Sequence, residues 1–357
     1  MSPNWVALLS IMVQILFDIA MSTIPSISEE IDEQVINNII DKNFSKLAPT
    51  YYSLTSNWLI GAYKVFQNID KFVILVYLLD RNLIFYRKNG IVIDFDTFFD
   101  SSKLEIEKIN LSDISRDLQI PKESTRRKIS ELEKRGVIKK VGKKVFLDRN
   151  LIKEVQPGDT LKEVSVLLNV FNKILIEEKV TKVYFTTDEI TEAMKKHFSF
   201  AAYQFNKFLF AFTNSWRKEL KDLETLSIGL IVLLNSVENK NFREKHLNRK
   251  LHTKNMNKVD KIGVNAMSLS EITGIPRPTV VRKINYLIKR NFLKINDKKL
   301  ITLEMKDQIH KKSLGIQNPI IKLLSKFIYR VFNQMKVINS ANIVDKEENF
   351  IPGYMRD

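Results

Sequence analysis

The sequence predicts a mainly α-helical protein with two small β-hairpins, built from two copies of one unit. Three observations predict this fold class. Residues 110–147 align without a gap to residues 265–302, at an offset of 155. Apolar residues recur at helical spacing through much of the chain. Only 10 glycines and 9 prolines occur in 357 residues, too few for a protein of many strands and turns.

The internal repeat predicts the domain organisation. The aligned segments share Ile120/Ile275, Pro121/Pro276, Arg127/Arg282 and Leu132/Leu287, and the similarity extends upstream, where residues 72–79 face residues 227–234 at the same offset. A missed repeat would misassign the whole fold. We therefore expect a first unit at 1–155 with its repeated segment at 110–147, a second unit at 156–310 with its segment at 265–303, and a C-terminal helix with a polar tail at 311–357.

The first apolar stretch, residues 4–21, resembles a membrane anchor or a signal peptide in hydropathy alone. No lysine or arginine precedes it, and Gln14 and Asp18 interrupt it. A similar pattern returns at residues 164–178 with two asparagines and a lysine inside it. We therefore expect a buried or interfacial soluble helix, no membrane partner and a cytoplasmic location.

Helical spacing of apolar residues marks four helices before the first repeated segment. They are expected at Val6–Met21, Ile31–Phe44, Trp58–Phe66 and Asp70–Leu79. Another copy of the opening pattern, Pro319–Met335, predicts the C-terminal helix.

Two insertions differ between the units. In residues 82–109, the run Ile91–Phe95 is strand-like. Residues 236–264 hold eight basic and three acidic residues and are expected to form a loop. With its excess of basic residues, that loop is either an additional arm on a phosphate backbone or only a solvated loop.

Within the repeated segment, Leu111, Ile114 and Leu118 form one stripe of a short helix. A turn follows at residues 119–121, and Thr125, Ile129 and Leu132 then line a longer helix. Gly136 in the first copy and Asn291 in the second are expected to end the longer helices in the left-handed conformation, which these residue types tolerate.

Two short β runs follow each longer helix. They are Val137–Val141 with Lys144–Leu147 in the first copy and Phe292–Ile295 with Lys299–Leu303 in the second. Helix, tight turn, helix and basic hairpin together predict a winged helix-turn-helix in each unit, with the hairpin as the wing.

The two longer helices and their turns resemble known DNA-binding proteins. IPKESTRRKISELEKRGVI (120–138) and TGIPRPTVVRKINYLIKRNFL (273–293) are similar to the recognition halves of bacterial winged helix-turn-helix regulators, in particular the multiple antibiotic resistance regulator (MarR) family. The wing Lys139–Lys144 departs from that family by lacking its usual acidic-basic signature. The resemblance implies a single chain that acts as a covalent pseudo-dimer; it allows a small-molecule effector and leaves a higher oligomer open.

Positive charge is concentrated in the repeated segments. The formal net charge is +16, and residues 122–144 and 277–299 carry a net +7 each. Such charge suits the neutralisation of phosphates, and the second helix of a helix-turn-helix enters the major groove. Candidates for reading bases are Lys122, Ser124, Arg126, Arg127, Ser130, Arg277, Thr279, Val281, Arg282 and Asn285. Candidates for phosphates are Lys139, Lys140, Lys143, Lys144, Lys294, Lys298 and Lys299.

The chemistry of these side chains suggests specific pairings. Arg127 and Arg282 can pair bidentately with guanine. Thr279 and Val281 can contact a thymine methyl group, and Asn285 can read adenine. Because the two recognition surfaces differ, the expected DNA site is asymmetric.

No enzymatic or metal-binding pattern emerges. The chain has no cysteine, and its four histidines are dispersed. Asp94, Asp96 and Asp100 lack the glycine and the terminal glutamate of a calcium loop. We therefore expect no enzyme, no metal and no cofactor. The aromatic groups around Trp58 and Trp216 can line an effector pocket, but core packing is the stronger expectation.

The sequence thus predicts a sequence-specific double-stranded DNA-binding protein, a transcriptional regulator associated with the nucleoid. A replication initiator of the plasmid or phage type is the alternative within DNA binding. A winged-helix scaffold for protein interactions is the alternative outside it.

Overall fold

The computed structural model describes residues 33–100, 103–106, 110–142, 144–148, 158–237, 246–256, 263–304 and 306–348, the last with side chains to residue 335. Its first half contains α1 (Glu33–Lys42), α2 (Phe44–Phe66), α3 (Ile69–Lys88), α4 (Phe95–Asp100), β1 (Lys103–Ile106), α5 (Leu111–Leu118), α6 (Lys122–Lys134), β2 (Ile138–Val141) and β3 (Lys144–Asp148).

The second half contains α7 (Gly158–Glu177), α8 (Thr187–Lys196), α9 (Phe198–Leu220), α10 (Leu223–Val237), α11 (Arg249–Asn255), α12 (Ala266–Thr273), α13 (Arg277–Lys289), β4 (Leu293–Ile295), β5 (Ile301–Leu303) and α14 (Asp307–Glu348). The described part of the chain is therefore mainly helical with small antiparallel strand pairs. This confirms the predicted fold class at that level.

The core lies between the two halves. The long helices α2 and α9 carry its largest buried side chains, among them Tyr51, Phe208 and Phe212. Helix α2 packs on α3, α7 and α10, and α9 packs on α3, α10 and α14. Buried apolar residues of both halves form one continuous cluster, so neither half packs its core alone.

Both predicted hairpins are present, and one gains a strand. In the first, β3 pairs antiparallel with β2 and also with β1, so the strand order is β1-β3-β2. In the second, β4 pairs with β5, with Leu293 opposite Leu303. The strand β1 was not predicted, because its four residues, KLEI, are too few for a period to emerge.

The predicted strand at Ile91–Phe95 is wrong. Residues 91–94 have no regular structure, and α4 begins at Phe95. The side chain of Asp94 accepts hydrogen bonds from the backbone N–H of Thr97 (2.9 Å) and from its hydroxyl (2.7 Å). A carboxylate in this position stabilises the start of a helix. This stabilisation outweighs the preference of the preceding β-branched residues for a strand.

The prediction of a loop across 236–264 is also wrong for the part that the structure describes. Residues 246–256 contain α11, whose first turn is capped by Asn248 accepting from the N–H of Leu251 at 2.9 Å. His252 is buried with its ring centroid 5.2 Å from that of Phe44. This segment therefore packs on the core. Residues 238–245 and 257–262 lie outside the described residues.

Several helix bounds differ from the prediction. The expected helix at Trp58–Phe66 is only the end of α2, which begins at Phe44. The expected Asp70–Leu79 helix continues to Lys88 as α3, and the C-terminal helix begins at Asp307 instead of near Pro319. The added part of α2 is itself buried, with Phe44, Leu47 and Tyr51 in the core, so the prediction placed its start too late. The expected helix at Val6–Met21 lies outside the described residues.

Each half binds an inserted segment of the other through the same pair of hydrogen bonds. The N–H of Ser45 donates to the carbonyl of Leu247 (3.1 Å), and the N–H of Leu247 donates to Ser45 Oγ (3.0 Å). The N–H of Ser199 likewise donates to the carbonyl of Ile93 (2.9 Å), and the N–H of Ile93 donates to Ser199 Oγ (2.9 Å). Both pairs of positions are 154 residues apart.

None of the described helices is both long and apolar enough to cross a bilayer.

Candidate nucleic-acid interface

Two groups of elements contain the predicted site residues. We call α5, α6, β2 and β3 (residues 111–148) the first module, and α12, α13, β4 and β5 (residues 266–303) the second module. Each begins with an asparagine cap: Asn110 accepts from the N–H of Ser112 at 3.0 Å, and Asn265 accepts from the N–H of Ser268 at 2.9 Å. The first helix of each module therefore starts in a similar way.

The turn between the two helices is also held alike. The hydroxyl of Ser115 donates to the carbonyl of Ile120, and that of Ser270 donates to the carbonyl of Ile275, both at 2.7 Å. Gln119 and Gly274 adopt left-handed φ values of 53° and 72° in these turns. A glutamine does not by itself predict a left-handed conformation. At Gln119 the conformation is indicated only by the alignment of this residue with Gly274.

The ends of the two longer helices confirm a prediction. Gly136 has a φ of 79° and Asn291 a φ of 58°, so both adopt the expected left-handed conformation. Thr125, Ile129 and Leu132 are buried, as their spacing predicted. The aligned positions in the second module, Val280, Ile284 and Leu287, are buried as well.

The opposite faces of α6 and α13 are open to solvent. Ser124 and Thr279 are half-buried. The exposed candidates for reading bases are Lys122, Arg126, Arg127, Ser130, Arg277, Val281, Arg282 and Asn285. Each module thus exposes two arginines on one helix face, with Lys122 and Ser130 beside them in the first and Val281 and Asn285 in the second.

Two lysines of the recognition helices point inward instead. Lys128 and Lys283 are both more than nine-tenths buried. Lys128 Nζ lies 3.4 Å from Asp70, and Lys283 Nζ lies 2.7 Å from Asp222. These charges tie α6 and α13 each to the start of a long helix and are not open to solvent. Both lysines lie three residues after an inner residue of the same helix, Thr125 or Val280. This spacing indicates that they face inward, and the sequence analysis did not use it.

The wing lysines differ between the modules. Lys139, Lys140 and Lys144 are exposed, and each forms an ion pair, with Asp148, with Glu133 (2.6 Å) and with Glu105 (3.0 Å) respectively. Lys143 lies outside the described residues. In the second wing, Lys294 lies 3.4 Å from Glu304. Lys298 and Lys299 are exposed and form no ion pair with any described residue.

The first recognition helix carries its own carboxylates. Arg126 pairs with Glu123 at 2.7 Å, and Arg127 lies 3.8 Å from Glu131. Lys71 of α3 also binds Glu131, at 2.5 Å, and this hydrogen bond lowers the pKa of the Glu131 carboxyl. The acidic side chain therefore stays ionised beside the exposed arginine.

A side chain of the second half holds the first module in place. Arg217 of α9 is buried and donates to the carbonyl of Leu118 (2.6 Å) and to Asp70 Oδ1 (2.7 Å). The amide of Asn214 donates to the carbonyl of Asp117 at 2.7 Å. The matching position of α2, 158 residues earlier, is Leu59, so the second module lacks this attachment. Nothing in the sequence distinguishes Arg217 from other basic residues near the end of a helix, so this attachment was not predicted.

A cavity of about 610 Å³ lies between α2, α3, α7 and α9. Its wall is mainly apolar and includes Trp58, Phe72, Leu79 and Phe205. Its polar side contains Glu163, which accepts a hydrogen bond of 2.5 Å from the amide of Asn57 and whose pKa is raised by burial.

The matching region of the second half is nearly filled. Trp216, which aligns with Trp58, lines a cavity of only about 70 Å³ together with Tyr51 and Tyr52. Tyr51, Tyr52, Trp58, Phe205, Phe208 and Phe212 are buried, while Phe210 and Trp216 are partly buried. Core packing of these aromatic groups is therefore confirmed, and some of the same residues line cavities.

Within the described residues, no group of three or more histidine, aspartate or glutamate side chains is arranged to hold a metal ion. Comparison with models of known protein families, with curated proteins and with solved structures gives no match. The functional proposal therefore depends on the two modules and on the charges that they expose.

Proposed function

We propose that this protein binds double-stranded DNA in a sequence-specific manner and acts as a transcriptional regulator on the nucleoid. The observation that carries the proposal is the presence of two modules with the same order of helix, tight turn, helix and hairpin, each with two exposed arginines on its second helix. In such modules, the N-terminal part of the second helix contacts base edges, while the wing and the helix ends contact phosphates.

The packing of the two halves supports a covalent pseudo-dimer formed by duplication of one unit of about 155 residues. The hydrogen bonds of Ser45 and Ser199 to the other half occur at matched positions. Helix α3 packs on α9, and α10 packs on α2, so each half contributes the same pair of helices to the shared core. The resemblance to the MarR family agrees with this arrangement, because paired units place two recognition helices on one DNA site.

The exposed side chains of α6 and α13 then suit direct contacts with the edges of the DNA bases. Arg127 and Arg282 suit guanine, and Asn285 suits adenine. Val281 is exposed beside Arg282 and suits a thymine methyl group. The two helices would enter successive major grooves about 34 Å apart.

Selection from random duplex DNA tests this function. We expect an imperfect inverted repeat with unlike halves, because the two recognition faces carry different residues. Charge reversal at both arginines, Arg127→Glu with Arg282→Glu, should abolish specific binding and flatten the dependence of affinity on salt.

Other outcomes would contradict parts of the proposal. A perfect palindrome would contradict unlike half-sites. Several direct repeats would favour a replication initiator. Unchanged binding and an unchanged salt slope in the double variant would exclude these faces as the DNA interface and would favour a protein-interaction scaffold.

A small-molecule effector is proposed as well, on the basis of the cavity near Trp58. Its volume and its mainly apolar wall suit a compact hydrophobic ligand. Helix α3 lines the cavity through Leu75, Val76 and Leu79 and also packs on α5 and α6. Occupancy of the cavity can therefore shift the first module.

A further inference from the structure

The two modules differ most in their acidic residues. Helix α13 contains no aspartate or glutamate, whereas α6 contains three glutamates. In the sequence alignment at an offset of 155 residues, each of these glutamates is aligned with an uncharged residue. The aligned pairs are Glu123 with Pro278, Glu131 with Tyr286 and Glu133 with Ile288, and the wing residue Asp148 is aligned with Leu303.

Most exposed cations of the first module are paired with carboxylates. Within the described residues 122–148, those that form such pairs are Arg126, Arg127, Lys139, Lys140 and Lys144. Lys122, Lys134 and Arg135 are exposed and form no ion pair with a described residue; Arg135 instead donates to the carbonyl of Val65 at 2.9 Å.

The second module has the opposite pattern. Its cations without an ion pair to any described residue are Arg277, Arg282, Lys289, Lys298 and Lys299. All five side chains are exposed. Two of them are aligned with paired residues of the first module, Arg282 with Arg127 and Lys299 with Lys144.

This difference bears on DNA binding because affinity for the phosphate backbone depends on the cations that replace condensed counterions. A paired lysine or arginine must leave its carboxylate before it can bind a phosphate. The carboxylate then remains within a Debye length of the DNA and repels it. In the second module, Lys294 must also leave a carboxylate, that of Glu304. Arg282 and Lys299 require no such exchange with any described residue.

We infer that the second module is the main anchor on the DNA phosphate backbone, and that the carboxylates of the first module weaken its contact with the other half-site. The inference rests on the proposed DNA-binding function. It assigns Arg282 and Lys299 a larger share of affinity than Arg127 and Lys144, although each pair occupies matched positions.

Two double variants of the full chain test the inference, because each removes two cations from the same positions of a module. They are Arg282→Ala with Lys299→Ala and Arg127→Ala with Lys144→Ala. Binding to a mixed-sequence duplex of about 30 bp is measured by fluorescence anisotropy between about 50 and 200 mM KCl.

The second-module variant should lower the salt slope by about 1.8 and the affinity by about tenfold or more. The first-module variant should lower the slope by less than about 1 and the affinity by less than about threefold. Equal losses, or a larger loss in the first module, would overturn the inference and leave DNA binding intact.

Removal of carboxylates provides a test in the opposite direction. Glu105→Gln with Glu123→Gln releases Lys144 and Arg126 and should raise both the affinity and the salt slope. Both glutamates are at least half exposed, so the fold should tolerate the change, and the circular dichroism spectrum checks this. An unchanged affinity would overturn the inference. Absence of binding by the unaltered protein to this duplex and to selected DNA would instead contradict the proposed function.

Discussion

Asp80 is a buried carboxylate at the boundary between the two halves. Only 7 % of its surface is exposed, and it accepts a hydrogen bond of 3.0 Å from the amide of Asn206 in α9. Burial raises the pKa of Asp80 to about 6, against the lowering effects of Asn206, Lys207 and Arg81. The folded protein therefore binds this proton more tightly than the unfolded chain does.

The sign of the pH dependence follows from that raised pKa. Below about pH 4, where Asp80 is protonated in both states, its contribution to stability is fully present, and it is lost as the pH rises through about 6. We expect Asp80→Asn to raise the free energy of unfolding at pH 7.5 by up to about 3 kcal/mol, because the neutral amide can still accept from Asn206. Urea denaturation at pH 4, 6 and 7.5 measures this.

The exposed Asp96→Asn is the matched control and should leave the pH profile unchanged. If Asp80→Asn has the same stability as the unaltered protein at pH 7.5, Asp80 does not carry a buried charge there.

At the scale of elements, the attachment of the first module to α9 distinguishes it from the second module. Apolar spacing predicted α5 and α6, because a repeated inner stripe is a local property of the sequence. It could not predict the contact of Arg217 with Leu118, since that contact joins residues 99 positions apart. The packing of α11 and the pairing of β1 were missed for the same reason.

We expect Arg217→Leu to destabilise the protein by about 2–4 kcal/mol, because it leaves Asp70 with only the more distant Lys128 and the carbonyl of Leu118 without this donor. Leucine is the residue at the matching position 59 of α2. Chemical denaturation measures the change, and hydrogen exchange of α5 and α6 locates it. The exposed neighbour Lys218→Leu serves as the control. Equal protection of the first module in Arg217→Leu and in the unaltered protein would contradict the attachment.

At the scale of the whole molecule, the two halves enclose unequal cavities. Trp58 and Trp216 occupy matched positions, yet the surrounding cavities are about 610 and 70 Å³. The residues that fill the smaller cavity come from the C-terminal part of the chain: Met256 follows α11, and Ser313 and Gln317 belong to α14. A sequence repeat therefore does not imply an equal repeat of internal space.

The larger cavity should bind a neutral hydrophobic dye. Nile red should show saturable fluorescence with the unaltered protein, and Leu79→Trp should weaken it by about tenfold by filling the cavity. The matched variant Leu234→Trp, whose residue does not line either cavity, should retain binding. Binding that is equal in the unaltered protein and in Leu79→Trp would exclude this cavity as the dye site. If the cavity serves an effector, the dye should also change the affinity for selected DNA.

Local sequence patterns were sufficient to predict the helical class, the two modules, the left-handed ends at Gly136 and Asn291, and the exposed faces of α6 and α13. These features depend on local spacing and residue type, which are read directly from neighbouring positions. The carboxylates that lie beside the charges of these helices follow only from the folded structure. Lys128 and Arg127 are adjacent in the sequence, but one is buried against Asp70 and the other is exposed. Charge is a property of the residue, whereas its availability to DNA depends on the residues that pack against it from distant parts of the chain.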